Sequence, residues 1–240
     1  MTDPQDLLRA LEATWPAASV DDAAAPGWRL RDGAGGGKRV SAASALTASP
    51  DIAVAEHAMR AQGGDPLFSL GPEDADIDAA LATRGYDVVD PTVIYIGDAA
   101  TLAALPLSKG VNWVEVRASL ALLTDIWRDG GIGPARRAVM DRCALPKATL
   151  MARTDASTAG CAFVAVDGPV AMVHAIEVRA DRRRQGAGLA LLAGAARIAL
   201  DHGAPMLALA VTEANAGARR LYGHAGMAEV ARYHYRLLRN

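Results

Sequence analysis

Cysteine is nearly absent. The 240-residue chain has two, Cys143 and Cys161. Two thiols cannot build a disulfide framework, and reduced core residues are the expectation. Charge of one sign is also missing: 25 basic residues face 27 acidic ones, for a net −2. That balance excludes a general binder of nucleic acid or anionic membrane, because the basic clusters are only local, at Arg182 to Arg184 and at Arg136-Arg137. No apolar run approaches the ~18 residues of a membrane span, since Arg197 interrupts the longest one. Met1 to Asp6 is acidic with no apolar region behind it, so no leader is expected and the protein should be cytoplasmic. The five histidines and two cysteines lack ligand spacing, so no metal is expected. Nor is there a Ser-His-Asp or nucleophilic-cysteine context.

What is present is apolar mass, 51% of the residues, enough for a sizeable core. Its patterning gives an α/β chain in two halves. In the first, Asp3 to Trp15 reads as a helix, Gly27 to Arg31 and Arg39 to Leu46 as strands, and Ile52 to Gln62 as a helix capped near Ser49 or Asp51. A short strand over Pro66 to Leu70, a helix over Asp76 to Arg84 and, over Tyr86 to Ile96, a strand pair or one strand bent at Pro91 complete it. The run from Asp32 to Gly37 holds four glycines, but no helix follows and Lys38 precedes Arg39 rather than Ser or Thr. A hairpin turn is expected there, not a phosphate loop. Residues 99–110, with Pro106, read as a linker.

The second half reads β-α-α-β-β-β-α-β-α-β. Its strands are Val111 to Ala118, Ala148 to Arg153, Gly160 to Val166, Val170 to Val178, Met206 to Thr212 and Met227 to Leu238. Its helices are Leu120 to Trp127, Pro134 to Cys143, one that closes at Gly203, and Asn215 to His224. Turns fall at Asp155 to Thr158 and at Asp167-Gly168.

The most informative stretch runs from Val173 to Gly203. A short β-branched strand passes into Arg182, Arg183 and Arg184, and Gly186 and Gly188 then open an apolar helix. A helix N-terminus presents unpaired N–H groups and about half a positive charge. Glycines let a ligand approach that backbone, and arginines add forked donors that suit phosphate. The pattern therefore makes an anion site, most simply for a pyrophosphate. Gly186-x-Gly188-x-x-Leu191 lacks the third glycine of a dinucleotide fingerprint, and no Lys-Ser/Thr follows as a P-loop requires.

Arg183, Gly186 and Gly188 fit Arg/Gln-x-x-Gly-x-Gly/Ala. Farther on, Asn215-x-x-Ala218-x-x-Leu221-Tyr222-x-x-x-Gly226-Met227 is similar to Asn-x-x-Ala-x-x-Leu-Tyr-x-x-x-Gly-Phe. Both motifs resemble those of the GCN5-related N-acetyltransferase (GNAT) superfamily, in the same order and over residues 111–238. The resemblance implies the GNAT fold, a mixed and mostly antiparallel sheet flanked by helices. It also implies acetyl-CoA as acyl donor and a primary amine, on a small molecule or a peptide, as acceptor. Residues 1–98 resemble a degenerate GNAT-like half without the CoA loop, as in tandem members of the superfamily, with an unrelated α+β cap as the alternative. Residues 111–240 form the catalytic domain in this reading, and a monomer or a homodimer fits it equally.

The resemblance assigns the CoA diphosphate to Arg183, Arg184, Gln185, Gly186, Ala187 and Gly188. The pantetheine arm falls to the main chain at Ile176 and Val178, and Asn215 is a helix cap, a CoA contact, or both. Tyr222 matches the residue that protonates the departing thiolate. His174 falls where arylalkylamine-type members carry a proton-accepting histidine, although their partner histidine is Met172 here. Glu177 is the second candidate base, and period-2 alternation puts it on the opposite strand face from His174. A non-catalytic acyl-CoA sensor and a nucleotide-binding module are the alternatives.

Overall fold

The protein was analysed as a computed structural model that describes residues 4–117, 120–155 and 157–238. Asp3, Ala118 and Ala156, named in the expected elements, lie outside the described residues, as do Arg239 and Asn240. In chain order the elements are α1 (Pro4–Thr14), β1 (Ser19–Asp21), β2 (Trp28–Asp32), β3 (Ser44–Ala45), α2 (Ile52–Ala61), β4 (Leu67–Leu70), α3 (Ala75–Thr83), β5 (Asp87–Asp98) and α4 (Ala99–Ala103). There follow β6 (Val111–Val116), α5 (Ala121–Asp129), α6 (Pro134–Arg142), β7 (Lys147–Thr154), β8 (Ser157–Asp167), β9 (Val170–Val178), α7 (Ala187–Asp201), β10 (Met206–Thr212), α8 (Ala216–His224) and β11 (Ala228–Leu237).

These elements form two compact units that interleave along the chain. The first comprises Met1–Trp15, Ile94–Val211 and Asn215–Val230, and the second Pro16–Val93, Thr212–Ala214 and Ala231–Asn240. The units therefore do not divide at the expected linker, residues 99–110. That stretch begins with α4, whose first turn is capped where the Asp98 carboxylate accepts from Thr101 N–H at 2.7 Å.

In the first unit the strand order is β11-β5-β10-β9-β8-β7-β6. Pairs β6–β7, β7–β8 and β8–β9 are antiparallel, and β9–β10 is parallel. β8 is buried on both faces over Ala159–Val166 because helices cover each side. Register shows which helix covers which. Trp113 pairs with Ala152, whereas Val116 pairs with Thr149 and Thr149 with Phe163, so Trp113 and Phe163 point to opposite faces. α7 lies on the Trp113 face, where Gly194 leaves room for the indole: a Cβ there would sit 2.7 Å from Trp113 Cδ2. Burial almost all round α7 explains its alanine-rich, apolar sequence. α1 lies on the Phe163 face, where Trp15 meets Phe163 edge-on at 6.1 Å.

The second unit has β1-β2-β3 as one small sheet and the order β4-β11-β5 in another. Trp28, Leu30, Phe68, Leu70, Ile77, Leu81 and Tyr86 form its core. α2 begins as expected, with the Asp51 carboxylate accepting from Ala53 N–H at 2.9 Å. The strand expected over Arg39 to Leu46 is different: Lys38–Val40 is a 3-10 turn, the strand is shortened to Ser44–Ala45, and Ala43 makes a single parallel bridge to Phe68. The buried Arg31 guanidinium donates to the Ala42 carbonyl at 2.8 Å and to the Ser44 hydroxyl at 3.0 Å, occupying one carbonyl that a longer ladder would use. At Pro91 the strand β5 continues, with Asp90 in the left-handed region (φ +47°).

Candidate active site

Pairing between β9 and β10 covers only Val170–Met172 against Met206–Ala208, although β9 continues to Val178 and β10 to Thr212. The strands part there, and β9 changes from buried to half-buried at Ala175. The opened stretch contains Ile176 and Val178, whose main chain the sequence resemblance assigns to a ligand.

β9 leads into a 3-10 turn at Ala180–Arg182, and α7 begins after it. Arg184 (φ +64°) and Gly186 (φ +90°) both adopt left-handed backbone, which reverses the chain into the helix. The first intrahelical bond joins Ala190 N–H to the Gly186 carbonyl, so the preceding amides belong to the turn that lacks intrahelical acceptors. Gly186 is required by its backbone angle. At Gly188 a Cβ would lie 2.8 Å from Leu221 Cδ2 on α8, so the glycine gives that side chain room. Ala187 is buried beneath the turn. Arg179 and Arg182 both pair with Asp181. Arg183, Arg184 and Gln185 are exposed, and among the described residues Arg183 and Arg184 form no ion pair. The Arg183 Nε donates to the Val178 carbonyl at 3.3 Å, which aligns its side chain along the end of β9.

Expected alternation fails within β9. His174 pairs with Phe163 and Glu177 with Cys161, two residues apart on β8, so both side chains share one face. The cause is a bulge. The register shifts between Cys161 and Phe163, and Ala175 is left-handed at φ +51°. His174 is 4% exposed; its Nε2 lies 2.9 Å from the Thr14 hydroxyl, and the Trp15 ring stacks at 5.0 Å. α1 thus covers it. Glu177 is half-buried, and burial raises its carboxyl pKa while Arg183 and Arg136 pull it back down.

Tyr222 lies on α8, 5% exposed, with its ring 5.6 Å from that of Tyr95. Burial pushes its phenol pKa up, and the charges of Glu177 and Tyr95 add to the rise. The charge of Glu177 thus bears on the Tyr222 phenol, while His174 lies under α1. Asn215 caps α8, its side-chain oxygen accepting from Ala218 N–H at 3.1 Å. Sequence reasoning missed Tyr95, which donates to Glu229, itself paired with Arg219 at 2.9 Å. It also missed Trp127, whose indole N–H donates to the Ala175 carbonyl at 2.9 Å. Nothing local in the sequence marks either residue. A cavity of about 480 Å³ opens beside α5 and α6, lined in part by Leu123, Trp127, Arg137 and Phe163. Glu177 and Tyr222 are not in its wall. Among the described residues no group of three or more side chains could hold a metal ion, and no helix is long and apolar enough to cross a membrane.

No protein of curated function matches the chain in sequence. Solved structures do match its fold. A GCN5-related N-acetyltransferase from Kribbella flavida superposes with a TM-score of 0.75 at 19% identity, over 100% of this chain and 97% of that one. A functionally unknown conserved protein from Staphylococcus epidermidis gives 0.70 at 14% identity, over 97% of each chain. A tandem GNAT protein from the clavulanic acid biosynthesis pathway gives 0.61 at 16% identity, over 88% of this chain and 77% of that one. At such identities the likeness is one of fold, and it fits the mostly antiparallel sheet flanked by helices. The family model for the acetyltransferase (GNAT) family matches residues 122–227. That segment holds the parted strands, the Arg-rich turn before α7 and the motif of α8, and it is a domain of the acetyltransferase (GNAT) family.

Proposed function

We propose that the protein is a cytoplasmic acetyl-CoA-dependent N-acetyltransferase that moves an acetyl group to a primary amine by direct attack. The observation that carries this reading is the parting of β9 from β10 beside a turn whose two unpaired arginines and opening amides suit a diphosphate. In this reading Arg183 and Arg184, with the main chain from Gln185 to Gly188, hold the diphosphate of the acyl donor. The main chain of Ile176 and Val178 aligns the pantetheine arm, and Asn215 shapes the neighbouring turn as a cap.

Glu177 is the proposed base. It takes a proton from the amine, directly or through one water, so that the neutral nitrogen attacks the thioester carbonyl. Its half-buried carboxyl is a better acceptor than an exposed one because burial raises its pKa. The C–N bond forms and the C–S bond breaks. Tyr222, kept protonated by burial, delivers its proton or a strong hydrogen bond to the leaving sulfur. His174 is closed in by Thr14 and Trp15, which favours a structural role over that of base. The ancestry we propose is a tandem one, with a degenerate GNAT-like half over 1–98, a connection at 99–110 and a catalytic half over 111–240.

Thermal shift with acetyl-CoA, ATP and NAD tests the donor, because a ligand stabilises only the fold it binds. Acetyl-CoA should raise the melting temperature and the other two should not. Thiol release across a panel of alkylamines and arylalkylamines tests the transfer. Acetyl-CoA binding without turnover of any amine would favour an acyl-CoA sensor instead.

A further inference from the structure

We propose that Trp127 on α5 and Gly130, which caps its C-terminus, are positioning residues that seat the Glu177 side chain at the strand bulge. The proposal rests on the reading of Glu177 as base. Two contacts from one turn of helix carry it.

The first contact fixes the backbone. The bulge puts Ala175 at φ +51°, a conformation that residues with an L side chain avoid unless their surroundings impose it. The buried Trp127 donates its indole N–H to the carbonyl of that residue at 2.9 Å. Without the bulge, ordinary alternation would turn Glu177 to the other face of the sheet. Trp127 therefore holds the irregularity that decides where Glu177 points.

The second contact fixes the side chain. A Cβ at Gly130 would lie 2.3 Å from Glu177 Cδ and 2.5 Å from Oε2. The carboxyl thus rests against the bare Cα of Gly130. Gly130 has φ −83° and ψ 5°, angles open to any residue, and it is exposed. Its backbone does not call for glycine, and room for Glu177 is what glycine supplies. Arg183 from the α7 turn and Arg136 from α6 lower the pKa of the carboxyl, and its charge raises those of Tyr222 on α8 and of Cys161, its cross-strand partner on β8. A small displacement changes its distance from all four.

The test uses the full-length protein carrying Gly130→Ala, Trp127→Phe or Glu177→Gln. One readout is the carbon-13 titration of the Glu177 carboxyl, assigned by its loss in Glu177→Gln. The other is the pH profile of kcat and kcat/KM with acetyl-CoA and the fastest amine of the panel. Gly130→Ala should keep its melting temperature and its KM for acetyl-CoA, move the Glu177 midpoint, and lower kcat roughly 10- to 100-fold, the scale of a misplaced catalytic group. Trp127→Phe keeps a ring but loses the donor, and should move both readouts likewise. Wild-type titration and wild-type kcat in Gly130→Ala overturn the proposal, and that variant decides alone if Trp127→Phe does not fold. Undiminished turnover in Glu177→Gln removes the reading of Glu177 as base, and the proposal with it. A slow Glu177→Gln beside a normal Gly130→Ala refutes the positioning role only.

Discussion

Replacing Tyr222 by Phe separates rate from stability. The ring stays, so its packing against Tyr95 at 5.6 Å and its buried position on α8 are kept. Only the hydroxyl goes, and losing one such group costs about 1 kcal/mol of stability or less. The rate effect should be larger. General acid catalysis contributes about 10²- to 10⁴-fold. The departing group here is a thiolate, whose conjugate acid has a pKa near ~8.5, so it needs less help than an alkoxide would. A loss of about 100-fold in kcat follows, or about 2.7 kcal/mol at 1.36 kcal/mol per tenfold. Thiol release at saturating acetyl-CoA, followed between pH 6 and about 9, measures it beside a melting curve. The KM for acetyl-CoA should change little, because the hydroxyl acts on the leaving sulfur as the C–S bond breaks. Wild-type kcat in a well-folded Tyr222→Phe would refute the assignment. A fall in kcat matched by a comparable fall in stability would show that the hydroxyl serves the fold instead.

Three further outcomes follow from the site. Burial raises the Glu177 carboxyl pKa, so the folded state favours its protonated form. That contribution to stability is whole below the ordinary glutamate pKa of ~4.3 and is lost as pH rises through the folded value. Glu177→Gln should therefore melt higher than the wild type at neutral pH, with the difference vanishing in acid; a lower melting temperature at neutral pH contradicts this. Arg183 holds the same carboxyl down, so Arg183→Gln should move the acidic limb of kcat/KM to higher pH and raise the KM for acetyl-CoA roughly tenfold through a lost phosphate contact. An unchanged KM would speak against Arg183 as a diphosphate ligand. His174→Ala empties a buried site between Thr14, Trp15 and Phe163, and chemical denaturation should show a loss of roughly 2–4 kcal/mol, with kcat of the folded fraction within a few-fold of wild type. A large loss of kcat at unchanged stability would restore His174 as a base.

Local signals made the second half of the chain legible. Gly186 ahead of a long apolar helix, Asn215 capping the next one, and the order of elements along the chain are readable because each rests on neighbours in sequence. Glu177 was misjudged for a physical reason. Its direction depends on one extra residue in β9, and that residue, Ala175, is an alanine in a conformation usually marked by glycine. Trp127 and Tyr95 went unread because their partners are far along the chain, at Ala175 and Glu229. The short 3-10 turn after the glycine run was hidden similarly, by an inward-turned Arg31. The glycines themselves were half understood: Gly186 serves the backbone, while Gly188 serves the contact with Leu221.

The place of β5 bears on how this gene could be cut. Its closing residues, Ile94–Asp98, stand between β10 and β11 in the unit that holds Glu177 and Tyr222, and α1 roofs the same unit over His174. A truncated protein starting at Val111 would keep every recognisable motif yet lack an interior strand and a covering helix. Two raw strand margins would then face solvent, and such margins pair with other molecules. Insoluble material is the expected product, so the catalytic segment is not portable without its leading residues.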